Sequence, residues 1–398
     1  MNRKKLFFEH QSQITEAPIG LEVSHAKGIY IFDKHGKKYI DLVAGVSACT
    51  LGHSNKQILQ SINQQLSKYT HVMVYGEYIQ DPQINLAKKL AEKLPKKLNC
   101  SYFVNSGTES IEGAIKLAKR TTKKHEIVYC KNSYHGSTHG SLSYMGNEKR
   151  KSNYRPLLPG GKMIRFNSMK DLKVITKKTA AVIVELVQSG SGFQVASKEW
   201  VKKIRNLCDK FNTILIFDEI QTCFGRTGKL FGFQKYKITP DILCIAKGMG
   251  GGMPIGCFIS SKKMMKNFQN NPVLGHITTF GGHPVNCAAA LKTLEILNKN
   301  NIIHQISKKE KLFKKLLSHK EILNIHGIGL MLGVQFKSEE ICDLVIKTCR
   351  KNGLLAFYFL FEKRSMRISP PLTITEKEIT KSCQIIIKSI NDCLESLS

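Results

Sequence analysis

The sequence predicts an α/β protein built on a large, mostly parallel sheet of seven strands, followed by a smaller α+β unit. Two observations carry this expectation. From about residue 100, short apolar β-branched runs alternate with amphipathic helical stretches, the rhythm of a layered strand-and-helix domain. After about residue 297 that rhythm gives way to a lysine-rich stretch and a different texture. At 398 residues, 42% hydrophobic and 23% charged, the chain suffices for one large domain or two moderate ones and is too apolar to be disordered throughout.

Taken in order, the opening segment around residues 28–32 and 39–42, with Asp33 and Gly36 between, reads as a hairpin that could belong to either unit. Residues 101–104 read as a strand. Ser106 with Glu109 three residues on makes a capping box for a helix whose apolar face is Ile111, Ala114, Ile115 and Ala118. That helix opens directly off the strand. Further strands are expected at 127–130, 163–166, 181–187, 214–217, 242–246 and 255–260, with helices at 199–211 and 286–297. In the second unit, 322–336 and 354–361 read as strand-rich and 341–350 as a helix. The resulting division is an N-terminal segment 1–50 associated with the small unit, a large unit 51–294 and a small C-terminal unit 295–398.

Charge and cysteines narrow the class. There are 61 Lys+Arg against 30 Asp+Glu, a formal charge of +31, which raises the question of a nucleic-acid partner. The lysines are spread in ones and twos (Lys4-Lys5, Lys88-Lys89, Lys177-Lys178, Lys314-Lys315) without interleaved aromatics, the pattern of a solvated surface. Twelve cysteines at scattered positions such as Cys49, Cys130, Cys244 and Cys287 form no CxxC pair, which fits reduced thiols in a cytoplasmic protein better than a disulfide scaffold or a zinc site, and no metal is expected. The first 11 residues lack a signal-peptide core, and no apolar run approaches the ~20 residues needed to cross a membrane.

The chemistry concentrates at strand ends. In TILIFDEIQ, 213–221, an apolar strand runs straight into Asp218 and Glu219, which also describes the acidic motif of P-loop ATPases. That rival class fails elsewhere. No GxxxxGK[ST] exists, since Cys223 stands where the first Gly would precede Gly228-Lys229. The dinucleotide fingerprint fails too, because after Gly327 and Gly329 the third Gly comes one place late, at Gly333. In DILCIAKGMGGGMPIG, 241–256, Lys247 ends an apolar strand and enters a glycine-rich bend. Burial there would lower its pKa and leave a nucleophilic amine able to form an imine; a lysine that snorkels out at a strand end is the competing reading. A carboxylate at Asp218, an amine at Lys247 and a phosphate-ready helix start at Ser106, Gly107 and Thr108 together suit pyridoxal phosphate. The amine would hold the aldehyde as a Schiff base, the carboxylate would keep the ring nitrogen protonated, and backbone N–H groups would bind the phosphate.

With these residues in place, the sequence resembles the class III (ω-amino) aminotransferases of the fold-type I pyridoxal-phosphate superfamily, near the acetylornithine and ornithine branch. The likeness runs nearly end to end: Leu51-Gly52-His53, FVNSGTES, YHGST, DEIQTCFGRTG, AKGMGGGMPIG, TTFGGHP and MRISPPLT occur in family order. It implies that Lys247 carries the coenzyme and shuttles the proton. Asp218 would face the ring nitrogen and Gln221 the ring hydroxyl oxygen, Tyr134 would stack on one face with Ile220 on the other, and Ser106, Gly107 and Thr108 would hold the phosphate. His135 and Glu185 fall in motifs near the ring. Thr279 would reach the phosphate of a neighbouring subunit, making the active unit a homodimer. Arg367, which without the likeness reads as an ordinary surface arginine, falls where the family keeps an arginine for the α-carboxylate of glutamate or 2-oxoglutarate.

The sequence departs from that pattern in the substrate region. Ser137 stands where these enzymes commonly carry an arginine for a distal substrate carboxylate, unless Arg165 or Arg155 substitutes in space. Gly190 replaces an acidic residue that gates the Arg367 position, and Val46 is aliphatic where ornithine enzymes carry a tyrosine. The implied reaction is transamination from an ω-amino donor, N-acetylornithine or ornithine, to 2-oxoglutarate. A glutamate-1-semialdehyde aminomutase is the rival within the fold, and a basic nucleotide- or nucleic-acid-binding protein is the rival outside it.

Overall fold

In the computed structural model, which describes residues 3–395, all seven expected strands form one sheet. Its order is Cys100–Val104, Gly256–Ser260, Ile242–Ile245, Ile214–Asp218, Thr179–Glu185, Glu126–Cys130 and Gly161–Ile164. Gly256–Ser260 runs antiparallel to both neighbours and the other adjacent pairs are parallel. The central strands are buried along their whole length because helices cover both faces, which is why they read as unbroken apolar runs.

The helix expected after the first strand is Gly107–Thr122, with Ile111, Ala114, Ile115 and Ala118 all buried. Its capping differs from expectation. Ser106 Oγ accepts from the Glu109 amide at 3.3 Å, but the Glu109 carboxylate accepts from the amide of Asn105, at 2.6 Å, rather than from Ser106. The other expected helices occur at Lys198–Phe211, Pro284–Lys299 and Glu339–Lys351. Pro284–Lys299 packs against Lys56–Leu66 and Asp81–Lys93, two helices that the motif reading passed over.

The C-terminal region has a four-stranded antiparallel sheet, Ile322–Gly327, Leu332–Phe336, Ser365–Ile368 and Phe357–Tyr358. The lysine-rich stretch is a helix, Ile302–Leu316, whose Ile306 and Phe313 are buried while most of its lysines face outward. It packs with the closing helix Glu376–Glu395. The opening segment is a three-stranded meander, Val23–Lys27, Tyr30–Asp33 and Lys38–Asp41, and its last strand pairs in parallel with Leu354–Leu355. No helix among the described residues is long and apolar enough to cross a membrane.

Candidate active site

A cavity of about 650 Å³ opens where the central strands end, with Ser106, Gly107, Thr108, Tyr134, His135, Ser137, Glu185, Asp218, Ile220, Gln221 and Lys247 in its wall. Ligands of open α/β sheets bind at this carboxyl edge because the loops and helix starts converge there.

Asp218 closes Ile214–Asp218 and is in register with Cys244 of the parallel strand beside it, so Lys247, three residues further on and past that strand's end at Ile245, lies beyond the same end of the sheet. The Asp218 Oδ1 accepts from the Ile220 amide at 3.0 Å and its Oδ2 from His135 Nδ1 at 2.6 Å. Burial disfavours a charged His135, but the hydrogen bond to Asp218 and the negative charges of Asp218 and Glu185 outweigh it and raise the imidazole pKa. Lys247 is half-buried, with its backbone in the left-handed region at φ 44°. Desolvation lowers its amine pKa and the positive charge of Arg367 adds to the effect, against the pull of Asp218 and Glu185. Such an amine is a nucleophile at lower pH than a surface lysine.

The first amides of Gly107–Thr122 have no intrahelical acceptor, and the helix dipole favours an anion at that end. A methyl group on residue 107 would lie 2.9 Å from Cδ1 and Cγ2 of Ile220, so the close packing of Ile220 against the helix start requires this glycine. Thr108 Oγ1 is hydrogen-bonded to Thr138 Oγ1 and Ser141 Oγ, each at 2.7 Å. Two buried polar atoms in the cavity wall, His135 Nε2 and Gln221 Oε1, have no partner. An amine, a carboxylate, a phosphate cradle and unsatisfied polar groups around one cavity fit pyridoxal 5'-phosphate.

Glu185 accepts from the Tyr134 amide at 3.0 Å and from the amide and hydroxyl of Ser189 at 2.9 and 2.6 Å, and burial pushes its carboxyl pKa up. Glu219, beside Asp218, points away and accepts from the Gly232 and Phe233 amides, at 2.5 and 2.6 Å; burial raises it to about 7.

Arg367 is not a surface residue. It is 6% exposed, held on Ser189 O through Nη2 at 2.7 Å, with its guanidinium 5.1 and 4.7 Å from the ring centres of Phe193 and Phe359. Its Nε has no partner, and burial lowers its pKa to about 10. No carboxylate pairs with it among the described residues. At position 190, a Cβ would lie 2.6 Å from the Phe361 ring, so an aromatic side chain fills the space an acidic one would take. Ser137 lines the cavity, 3.1 Å from the Tyr134 hydroxyl. Arg155 and Arg165 do not substitute for a guanidinium there, because they pair with Glu148 and Asp171 at 2.5 and 2.7 Å, outside the cavity. Val46 and Thr279 are exposed and lie outside its lining.

Sequence reasoning missed Ser47, whose Oγ accepts from Gln221 Nε2 at 2.9 Å, and the Asp41–His53 pair, 2.7 Å apart. Ser47 sits in a left-handed run, Ala44 to Ser47, with φ of 51°, 58°, 57° and 69°. Only Gly45 adopts this freely; the other three cost about 1–2 kcal/mol each. Nothing in the local sequence signals such a run, since a lone glycine is compatible with many turns.

The fold and the cavity are those of a fold-type I pyridoxal-phosphate enzyme. The family model described as "Aminotransferase class-III" matches residues 12–390, and the chain belongs to that family. It is 38% identical to an acetylornithine aminotransferase of Archaeoglobus fulgidus over 92% of this chain and 94% of the relative, and 38% identical to that of Clostridium acetobutylicum over 92% and 95%. Among solved structures, an ornithine aminotransferase from Toxoplasma gondii superposes with a TM-score of 0.92 at 26% identity, over 98% of this chain and 94% of the other. An adenosylmethionine-8-amino-7-oxononanoate aminotransferase from Methanocaldococcus jannaschii gives 0.89 at 28% identity, over 98% of each chain.

Proposed function

We propose that this aminotransferase moves the amino group of an ω-amino donor, N-acetylornithine or ornithine, to 2-oxoglutarate, releasing glutamate, in two half-reactions that alternate at one site. The relatives named above support the donor. The observation that carries the acceptor is Arg367, a buried guanidinium without a carboxylate partner, one hydrogen bond away from the cavity residue Ser189. A planar fork of donors held this way suits an α-carboxylate.

When bound, the coenzyme supplies an aldehyde carbon for the travelling amino group and a ring that spreads the charge left when a proton departs. Lys247 would hold that carbon and, with its lowered pKa, would be the group that carries a proton to and from the reacting carbon. Asp218 holds a proton on the ring nitrogen, and His135, donating to its Oδ2, fixes the carboxylate in place. The helix start at Ser106, Gly107 and Thr108 takes the phosphate. Tyr134 and Ile220 confine the ring plane, Gln221 meets its hydroxyl oxygen, and Glu185 ties the Tyr134 backbone to the Ser189 bend. Ser137 offers no charge to a distal carboxylate, a loss of about 1.5–3 kcal/mol of binding.

That last feature favours a second reading, in which the donor is an ω-amine with no distal carboxylate. Successive additions to the purified protein decide between them. N-acetylornithine or ornithine should bleach the visible coenzyme band and 2-oxoglutarate should restore it; bleaching by a simple ω-amine alone supports the second reading. Lys247→Ala should lose the band and all turnover while keeping its circular dichroism, and full turnover by that variant would sink the assignment.

The proposed active unit is a homodimer. Thr279 stands on an exposed surface with Ile277 and Phe280, near a groove shared by Tyr78, Ile79, Ile84 and Thr278. A solvent-exposed apolar face of this kind calls for a partner. A second copy there would bring the partner subunit's Thr279 to the phosphate end of the cavity, and Thr279→Ala should then weaken coenzyme retention. A monomer by light scattering would refute this. Residues 1–50 and 295–398 are read as one small unit beside the large unit 51–294, supported by the pairing of Ile40 with Leu354.

A further inference from the structure

The segment from Asp41 to His53 lies outside the seven-stranded sheet, yet it touches three groups of the site. Asp41 Oδ1 accepts the amides of Val43 and Ala44 at 2.8 and 3.0 Å, and its Oδ2 accepts from His53 Nε2 at 2.7 Å. Asp41 is 2% exposed, so this arrangement is a buried brace rather than a surface ion pair. Between the two braced residues the chain makes its left-handed run. L-residues do not hold that shape unaided, so it must be imposed by fixed contacts.

What the run presents is chemical. Ser47 Oγ accepts from Gln221 Nε2 at 2.9 Å inside the cavity wall. A methyl placed on Gly248, the residue after Lys247, would lie 2.3 Å from Thr50 Oγ1 and 3.4 Å from the Ser47 carbonyl oxygen, so the segment packs against the lysine's own loop, most tightly through Thr50. On the other side, the Ser369 amide donates to Leu42 O at 2.7 Å, two residues beyond Arg367. Asp41 and His53 themselves line none of the coenzyme cavity.

We propose that Asp41 and His53 are positioning residues for the coenzyme ring, acting through the left-handed turn, Ser47 and Gln221. The proposal rests on reading Gln221 as the contact to the ring hydroxyl. Removing the brace frees the turn, Ser47 withdraws its acceptor, and the Gln221 amide loses its orientation toward the ring.

The test uses the holoenzyme and two readouts, the position of the coenzyme absorption band and the separate values of kcat and KM. His53→Ala and Ser47→Ala should each shift the band in the same direction as Gln221→Ala and lower kcat about tenfold, the worth of one well-placed hydrogen bond, with KM changed by less than about twofold. The double variant His53→Ala/Ser47→Ala should fall no further than either alone, because both act through one path. His53→Gln keeps a donor for Asp41, tests the brace if His53→Ala does not fold, and should restore most of kcat and the native band. Losses that multiply to about a hundredfold in the double variant would overturn the relay. So would a His53→Ala enzyme that melts earlier but keeps the native band and kcat. A native band in Gln221→Ala would instead remove the Gln221 assignment, and the relay with it.

Discussion

Replacing Arg367 by Met separates a group kept for substrate from one kept for the fold. Burial lowers the guanidinium pKa to about 10 from an ordinary 12.5, which corresponds to a penalty of about 3 kcal/mol for carrying the charge in this position. Against that stand two aromatic faces, worth about 1–2 kcal/mol together, and a charge-assisted bond to Ser189 O, worth about 1.5 kcal/mol. The terms nearly cancel, so Arg367→Met should leave the apo melting temperature within a few degrees of wild type. Catalysis should not be spared. Loss of a bidentate carboxylate contact, about 1.5–3 kcal/mol, should lower kcat/KM for 2-oxoglutarate by about ten- to a hundredfold, mainly through KM. Steady-state kinetics with differential scanning calorimetry on the same preparation measure both. An unchanged KM for 2-oxoglutarate would refute the carboxylate role, and a fall in melting temperature beyond about 10 °C would show that the arginine serves the core.

Three further expectations follow from the same geometry. Asp218→Asn should retain coenzyme but lose at least about a hundredfold in kcat, because an amide does not hold a proton on the ring nitrogen; a wild-type rate would contradict the electron-sink role. Gly190→Glu should force the Phe361 ring aside at about 1–3 kcal/mol of stability and, by reaching Arg367, raise KM for 2-oxoglutarate; a stable variant with native kinetics would show that Phe361 does not close this space. The hydrogen bond to Asp41, and a second with Cys49, raise His53 to about 10 from 6.5, so its stabilising contribution is complete below pH 6.5 and is lost as pH climbs through about 10. Discounted for partial exposure, this is of order 3 kcal/mol, and urea unfolding across that range should be steeper in pH for the native protein than for His53→Gln.

The sheet was legible in the sequence because its central strands are buried on both faces, so their apolar runs advertise themselves. Asp218 and Lys247 stood out for the same reason, as charges interrupting such runs. Arg367 had no local mark: what buries it are Phe193 and Phe359, remote in sequence or across a turn, and only the family likeness singled it out. The Ile302–Leu316 helix hid behind its lysines, although Ile306 and Phe313, seven residues apart, carry the helical period. The brace at Asp41 and His53 was invisible because an acid and an imidazole 12 residues apart meet only once the chain doubles back between them.

The parallel pairing of Ile40 with Leu354 also has a meaning in time. More than 300 residues must be made after the first of these strands before its partner exists, and at ~5–20 residues per second that is a wait of roughly 15–60 s. The strained turn and its brace begin at the very end of that waiting strand. During synthesis, therefore, the large sheet can assemble first with its strand ends already aligned, while the edge of the site nearest Gln221 is finished only after Leu354 and Leu355 leave the ribosome. Nascent chains of this protein would acquire a folded scaffold well before they acquire a competent active site.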